Sequence, residues 1–516
     1  MSLQMTQVAS TVVVLLLSIC IGIAAQIWTV VRKLPNLKKG YVAFFHPFAD
    51  GGGGGERVLW CAVKALQEQT PHVKVAIYVR EGVSSEQLVK EASHRFNISL
   101  SNDITVVPLN HTSLVLPERY PRLTLLGQAW GATKLGHEAL SKFVPEVFID
   151  TTGWAFTFPL ARLAGCRVAC YVHYPTVSSD MISRVASGKQ TYNNQASIAG
   201  SPLKSFIKLL YYRLFALLYG VVGACSQLSD QAVRDILTSQ ATMVNSSWTL
   251  GHLQNLWWGH GERTSTSSTI TAVNTGSRNC RIALVYPPVD TEDLKTLPLD
   301  SRSTPPYIIS LAQFRPEKNH RMQLEAFALA KKRAVAGPKG QRVLEARLKL
   351  VGGCRHAEDN ARLEDLKVLA HDLGVHQSVD WCVNASYTQL KGLLAGAVAG
   401  IHTMQDEHFG ICVVEYMAAG VIPLAHNSGG PKADIVVPVL QHVAGSSSKA
   451  VSSGYLASTV EEYADAISQV LALEEGARIQ MAAAARSHAD TFSTEKFMNS
   501  FMSAIGPVLP PLEKKF

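Results

Sequence analysis

What most constrains the fold of this chain is an alternation. From Tyr41 onward, short apolar runs rich in β-branched residues alternate with stretches of helical periodicity, in two successive series. The first series predicts strands at 73–79, 104–109, 147–150, 168–173 and 219–224, and the second at 307–312, 348–352, 397–402 and 421–425. Such runs, separated by helix-length segments, pair in parallel, because a sheet buried on both faces needs helices to cover it. The fold class is therefore α/β, with two units that each wrap a mostly parallel sheet in helices. Pro287-Pro288, Pro298 and Pro305-Pro306 lie in the polar connection between the units and predict a hinge near 288–305. At 516 residues the chain exceeds what one hydrophobic core supports, in keeping with two units.

The first predicted strand ends in Phe44-Phe45-His46-Pro47-Phe48-Ala49-Asp50, and the five glycines 51–55 follow before Glu56-Arg57-Val58-Leu59-Trp60 opens a helix. Strand, tight loop and helix aim main-chain amides at an anion. Glycine lets backbone approach a phosphate closely and supplies positive φ where a turn requires it. A diphosphate cradle is the reading. Glu56 stands where a dinucleotide fingerprint needs its third glycine, and no Lys-Ser/Thr follows, so neither NAD nor ATP is indicated. A flexible glycine linker is the bland alternative, and the patterned flanks argue against it.

Forty-eight basic against forty acidic residues leave a net charge of +8, compatible with a phosphate-bearing substrate or anionic lipid. No basic run is interleaved with aromatics, which excludes a nucleic-acid partner. Nine cysteines stand singly, without a Cys-x-x-Cys pair, so neither a structural zinc nor a disulfide framework is expected and the compartment is a reducing one. Residues 12–31 carry no charge and are long enough for one transmembrane helix, while Arg32, Lys33, Lys38 and Lys39 follow at once. The positive-inside rule then leaves residues 1–11 in the lumen and everything downstream in the cytosol. A cleaved signal peptide is the competing reading, and it lacks a basic leader. The sequons at Asn97, Asn110, Asn245 and Asn384 would be idle on the cytosolic side.

Residues 204–224 are apolar and aromatic, punctuated by Lys204, Lys208 and Arg213. They suit either an interfacial membrane helix or a core helix followed by a core strand. Trp248, Trp257 and Trp258 form a second aromatic-rich stretch with the same two readings. Segment 261–279, rich in Ser and Thr, predicts an exposed loop, and 331–342 a basic surface insertion.

In the second unit Glu407 and Glu415 stand eight positions apart in Glu407-His408-Phe409-Gly410-Ile411-Cys412-Val413-Val414-Glu415. If a helix begins after Gly410, both carboxylates line one crevice at the carboxyl end of the sheet, where open α/β folds bind ligands. Phe314-Arg315-Pro316-Glu317-Lys318-Asn319 follows an upstream strand and offers a planar fork and a compact ammonium, a suitable pair for a diphosphate leaving group. Asn427-Ser428-Gly429-Gly430-Pro431 is a further glycine-bearing turn after a strand.

The Arg315/Lys318 pair, the Glu407-x7-Glu415 motif and the glycine-rich first loop resemble the retaining, sugar-nucleotide-dependent glycosyltransferases of the glycogen-synthase-like class. The resemblance covers nearly everything after Gly40. It implies two facing Rossmann-like domains (the GT-B fold), here 32–290 toward acceptor and membrane and 305–490 toward the nucleotide sugar, with 491–516 as a last helix crossing back and a tail. More narrowly, Phe44-Phe45-His46-Pro47 with its glycine run, Tyr171-Val172-His173-Tyr174-Pro175 and the Glu407-His408-Phe409-Gly410 context resemble the dolichol-pathway α-1,2-mannosyltransferases that add the fourth and fifth mannoses to the lipid-linked N-glycan precursor.

That resemblance implies GDP-mannose as donor and a dolichyl diphosphate-linked oligosaccharide as acceptor, at the cytosolic face of the endoplasmic reticulum membrane. Other mannosyltransferases of the pathway are possible partners. Arg315 and Lys318 would hold the donor diphosphate, Glu415 the ribose and Glu407 the transferred sugar, with Phe409 and Gly410 beside them. Gly53, Gly54 and Gly55 would bring amides to the phosphates from the opposite domain, and His173 would approach the mannose. Glu407, His173 and Lys318 are the catalytic candidates, and no metal or other cofactor is expected, since no Asp-x-Asp triplet is available and two cations replace one. The residues alone leave open a UDP-sugar as donor, or a catalytically silent sugar-nucleotide sensor.

Overall fold

The computed structural model describes residues 32–186, 202–225, 241–257, 272–275, 278–334, 337–354, 356–441 and 449–511. The expected transmembrane anchor at 12–31, Trp258 and most of 261–279 lie outside the described residues.

The first sheet has eight strands in the order β3-β2-β1-β4-β5-β6-β8-β7. They are β1 (Lys38–Phe45), β2 (Lys74–Arg80), β3 (Ile104–Leu109), β4 (Pro145–Asp150), β5 (Arg167–Val172), β6 (Ala241–Val244), β7 (Ala272–Thr275) and β8 (Arg278–Leu284). All neighbours run parallel except β7 with β8. Val42, Ala43, Phe44 and Phe45 of β1 are all fully buried, as expected of a central strand covered on both faces. One core, with Val42, Phe44 and Trp60, lies on one side of the sheet, and a second, with Ala43, Phe45 and Phe148, on the other. Helices α1 (Gly54–Gln69), α2 (Ser85–Phe96), α3 (Thr124–Lys142), α4 (Pro202–Cys225) and α5 (Ser247–Trp257) cover it with shorter ones.

The second sheet is parallel, in the order β11-β10-β9-β12-β13-β16, from β9 (Tyr307–Leu311), β10 (Arg347–Gly352), β11 (Val379–Val383), β12 (Ala399–His402), β13 (Ile422–His426) and β16 (Tyr455–Ala457). β14 (Val439–Gln441) and β15 (Lys449–Val451) form a separate antiparallel pair. Helices α6 (His320–Arg333) and α7 (Ile411–Ala418) matter most to the site. The last helix, α8 (Thr494–Ile505), leaves the second unit and packs on the first, where Phe497, Met498, Phe501 and Ile505 join the core beneath α1.

Two expectations need correction. Segment 219–224 is the C-terminal end of α4 and not a strand. An aperiodic apolar run has no preferred face to betray it, and its glycines are contact points: a Cβ on Gly220 would lie 2.4 Å from the Leu256 carbonyl, and one on Gly223 2.3 Å from the Trp257 ring. The sheet position falls instead to the four-residue β6. Segment 261–279 is not wholly loop, since β7 and the start of β8 pair across Asn274 and Asn279. Segment 331–342 comprises the end of α6 and the start of a helix at Pro338–Glu345, with Lys331 over the Phe327 ring.

Candidate functional site

A cleft of about 950 Å³ opens between the carboxyl ends of the two sheets, lined by the glycine loop on one side and by Arg315, Lys318, Glu407 and Glu415 on the other. Its two walls are built differently.

On the first wall, β1 delivers His46 and the loop into the N-terminus of α1. The Glu56 carboxylate turns back along the helix and accepts the Gly53 amide at 2.5 Å, while its other oxygen lies 3.4 Å from His46 Nε2. His46 Nδ1 is in turn 2.8 Å from the Thr151 hydroxyl. Burial opposes the Glu56 charge, but His46 and the Gly53 amide outweigh it and hold the carboxyl below its usual range. None of the glycines at 51–55 has positive φ, contrary to the expectation that the turn requires it. Space is tight at two of them: a Cβ on Gly54 would meet the Ile411 side-chain end of the opposite domain at 2.7 Å, and one on Gly52 would meet the Arg95 guanidinium at 2.7 Å.

His173 follows β5, and its Nε2 is buried without a hydrogen-bond partner, 3.7 Å from where a Gly55 Cβ would stand. Asn245 donates to the His173 carbonyl at 2.8 Å and fixes the backbone there. Burial, with the nearby His46, pushes the imidazole down to about 4, so it is neutral at neutral pH. A neutral ring with a free nitrogen facing the cleft is a hydrogen-bonding group and not a fixed charge.

The second wall is a network of charges. Lys318, in the turn after β9, donates to Glu407 Oε2 at 2.7 Å and approaches Met404 Sδ at 3.2 Å. Glu407 Oε2 also lies 3.1 Å from His402 Nε2, and Oε1 accepts the His408 amide at 3.1 Å. His402, at the end of β12, is 2% exposed and places Nδ1 3.4 Å from Cys412 Sγ. Burial disfavours all these charges, yet Lys318 and His402 hold the Glu407 carboxyl well below its usual range. Against the same burial, Cys412 and Glu407 hold His402 up to about 9. Glu407 is therefore an ionised hydrogen-bond acceptor with its own partners already in place.

Its backbone is clamped as well. The Gly430 amide donates to the Glu407 carbonyl at 2.8 Å, and a Cβ on Gly429 (φ 63°) would lie 2.2 Å from that oxygen. This assigns a purpose to the Asn427–Pro431 turn: it sets the position of Glu407. Gly410, with φ 108°, ends the loop and starts α7. Phe409 borders the cleft, but its ring is packed on Tyr286 and Phe492, so its side chain supports the loop. Glu415 lines the cleft from α7, where burial raises its carboxyl and Arg57 of the first domain is the nearest counter-charge. The Arg315 side chain also lines the cleft and makes no hydrogen bond or ion pair among the described residues.

The structure thus gathers Gly53, Gly54, Gly55, His173, Arg315, Lys318, Glu407, Gly410 and Glu415 around one cleft. The sequence reading gave no role to His402, to Arg57, or to Asp290, which is 3.9 Å from Arg57. A histidine closing a strand ahead of the carboxylate loop was the available signal for His402. It also did not foresee the stacking across the domains of Tyr174 on His408, with ring centroids 3.9 Å apart. Asp434 adds a second link, accepting the Ser247 amide at 2.9 Å and the Tyr286 hydroxyl at 3.0 Å. Among the described residues no three His, Cys, Asp or Glu side chains are grouped to hold a metal ion.

Comparison with known proteins agrees with this architecture. Residues 39–257 match the family described as ALG11 mannosyltransferase N-terminus, and residues 298–488 match glycosyl transferases group 1. The GDP-Man:Man(3)GlcNAc(2)-PP-Dol α-1,2-mannosyltransferase of Mus musculus is 41% identical over 509 residues, covering 95% of this chain and 94% of its own. The protein of the same name from Dictyostelium discoideum is 40% identical, covering 92% and 86%. Among solved structures, a glycosyltransferase from Rickettsia africae superposes with a TM-score of 0.57 at 15% identity, covering 92% of this chain and all of its own. A UDP-forming α,α-trehalose-phosphate synthase from Burkholderia xenovorans does so with 0.59 at 11%, covering 90% and 100%. At such identities the structures speak for the two-domain GT-B fold alone.

Proposed function

We propose, from the premise that this chain belongs to the family of GDP-Man:Man(3)GlcNAc(2)-PP-Dol α-1,2-mannosyltransferases, that it transfers mannose from GDP-mannose to the trimannosyl diphosphodolichol acceptor in α-1,2 linkage. The chain is a glycosyltransferase of GT-B architecture. Two successive additions, giving the five-mannose lipid-linked precursor, are part of the proposal, as are retention at the anomeric carbon and independence of a metal ion. A dolichol-linked acceptor implies association with the endoplasmic reticulum membrane, and the proposal puts both domains on the cytosolic face with 12–31 as the single span.

The observation that carries the reading is the facing of the glycine loop and the Arg315, Lys318, Glu407 group across one cleft, in a chain 41% identical to a named relative. Arg315, unpaired, is the group most available to a diphosphate, and Lys318 adds charge while holding Glu407. Glu407, ionised and partnered, accepts hydrogen bonds from mannose hydroxyls and is not the nucleophile. The acceptor oxygen bonds to the anomeric carbon on the face from which GDP departs. The carbon–oxygen bond to the β-phosphate breaks, and the hydroxyl proton passes to the leaving phosphate oxygen. His173 contributes a neutral nitrogen beside the sugar. Catalysis is then positioning plus stabilisation of developing phosphate charge.

The test is a transfer assay with the full chain, GDP-mannose, a trimannosyl diphospholipid acceptor and a chelator, read by product mass and α-1,2-mannosidase sensitivity. Two added sensitive hexoses are expected. Activity with UDP-sugars and none with GDP-mannose would overturn the donor assignment, and activity restored only by a divalent cation would overturn metal independence.

A further inference from the structure

The two carboxylates of the second wall are equipped unequally. Glu407 is tied to Lys318, His402 and the His408 amide, whereas the Glu415 carboxyl makes no hydrogen bond among the described residues. Arg57, on the first wall, is in the same position. Its guanidinium lies 3.9 Å from Asp290, beyond hydrogen-bond distance, and its Nε is buried with no partner among the described residues. The side chain is 14% exposed, so water does little to serve it. A guanidinium that only donates and a carboxylate that only accepts therefore stand in one cleft with their capacity unused.

The packing of two helices brings them to the same place. At the domain boundary α1 and α7 touch, since a Cβ on Gly54 would stand 2.7 Å from the Ile411 side chain. Arg57 follows Gly54 by three residues on α1, and Glu415 follows Ile411 by four on α7, so each lies one turn further along the touching face. Burial disfavours the charge of Glu415, Arg57 favours it and Asp290 opposes it.

The ligand that satisfies both groups is narrowly defined. A phosphate would suit Arg57 and be repelled by Glu415, and an ammonium would do the reverse. A neutral vicinal diol suits both, because each hydroxyl donates to the carboxylate while its oxygen accepts from the guanidinium. We propose that Arg57 is a donor-binding residue that holds the ribose diol of the nucleotide from the first domain, while Glu415 holds the same diol from the second. This rests on the sugar-nucleotide donor proposed above and on the ribose role that the resemblance implies for Glu415, and it adds a residue from the opposite domain. One ribose then bridges the two walls, and a ligand that bridges two domains favours their closed arrangement.

The test is a cycle between side chain and ligand, read by titration calorimetry on the full chain with GDP and with 2′,3′-dideoxy-GDP, which lacks both hydroxyls. Arg57→Met should weaken GDP binding about tenfold and leave dideoxy-GDP within about twofold, since a hydrogen bond to a charged group is lost only where the hydroxyls are present. Equal weakening of both ligands, as a damaged fold or a phosphate contact would give, or weakening of neither, overturns the proposal. In a Glu415→Gln background Arg57→Met should still weaken GDP about threefold, because the guanidinium touches the ribose itself. No further loss there would reduce Arg57 to a support for the Glu415 charge and overturn the contact. A parent that binds UDP and not GDP defeats the donor assignment, and the same cycle with UDP and its dideoxy form still decides Arg57. A parent that binds no nucleotide overturns both.

Discussion

The two walls of the cleft solve the same problem by opposite means. The first-domain wall is mostly main chain: glycines kept bare for space, a carboxylate turned inward to cap its own helix, and a histidine held neutral. The second-domain wall is charge, with Glu407 fixed between Lys318 and His402 before any ligand arrives. A cleft so built brings a close-fitting surface of bare main chain against a preorganised ionic one. On the proposed reading, phosphate meets Lys318 already held by Glu407, and closeness of the opposite wall removes the water that would weaken the contact.

The largest effect should come from breaking the charged wall. Glu407→Ala leaves Lys318 and His402 facing each other without their carboxylate, and kcat/KM for transfer should fall by about a thousandfold or more, with circular dichroism unchanged. A variant keeping a tenth of parental turnover would show that the network is scaffolding only. Next is the glycine wall: Gly54→Val puts carbon where Ile411 stands and should cost about a hundredfold by holding the domains apart. Adding Ile411→Ala should recover part of that loss, whereas strictly additive effects would mean the walls do not touch in the working enzyme.

Smaller effects sharpen the contrast. Arg315→Ala should raise KM for GDP-mannose about tenfold with little change in kcat, because a free cation contributes chiefly to binding. If His173 acts as a neutral group, the pH–rate profile should show no limb between pH 5 and 8 that vanishes with His173→Ala, since its imidazole titrates at about 4. His402 behaves in the opposite sense. Its folded value of about 9 lies above the ordinary 6.5, so its stabilisation is complete below pH 6.5 and is lost as pH climbs through about 9. The thermal midpoint of the parent should fall over that window more than that of His402→Gln, and parallel curves would remove the imidazolium from the network.

How much of this was legible depends on whether the determining contact was local. The strand at 104–109 was read to the residue, because its apolar run is bounded by turn chemistry on both sides. The segment 219–224 was misread as a strand because its short apolar run shows no period of its own, and its place at the end of α4 is set by contacts of Gly220 and Gly223 with α5. At the site, Arg315, Lys318, Glu407 and Glu415 were visible as charged residues after strands. The grip of His402 on Glu407, the clamp of Gly429 and Gly430, and Arg57 beside Glu415 depend on chain segments meeting in space, which spacing does not encode. Positive φ was expected at the glycine run and occurs instead at Gly410 and Gly429.

The return of α8 to the first domain has a consequence for how the protein is made. Helix α1, which carries the glycine loop, rests on Phe497, Phe501 and Ile505, which are synthesised more than four hundred residues after it. At synthesis rates of about 5–20 residues per second, α1 waits roughly 20–90 seconds for that cover. During the wait its uncovered face is a surface for chaperones, and a ribosome stalled late in the message leaves both domains unfinished. Loss of the last helix is thus a lesion of the opposite end of the chain.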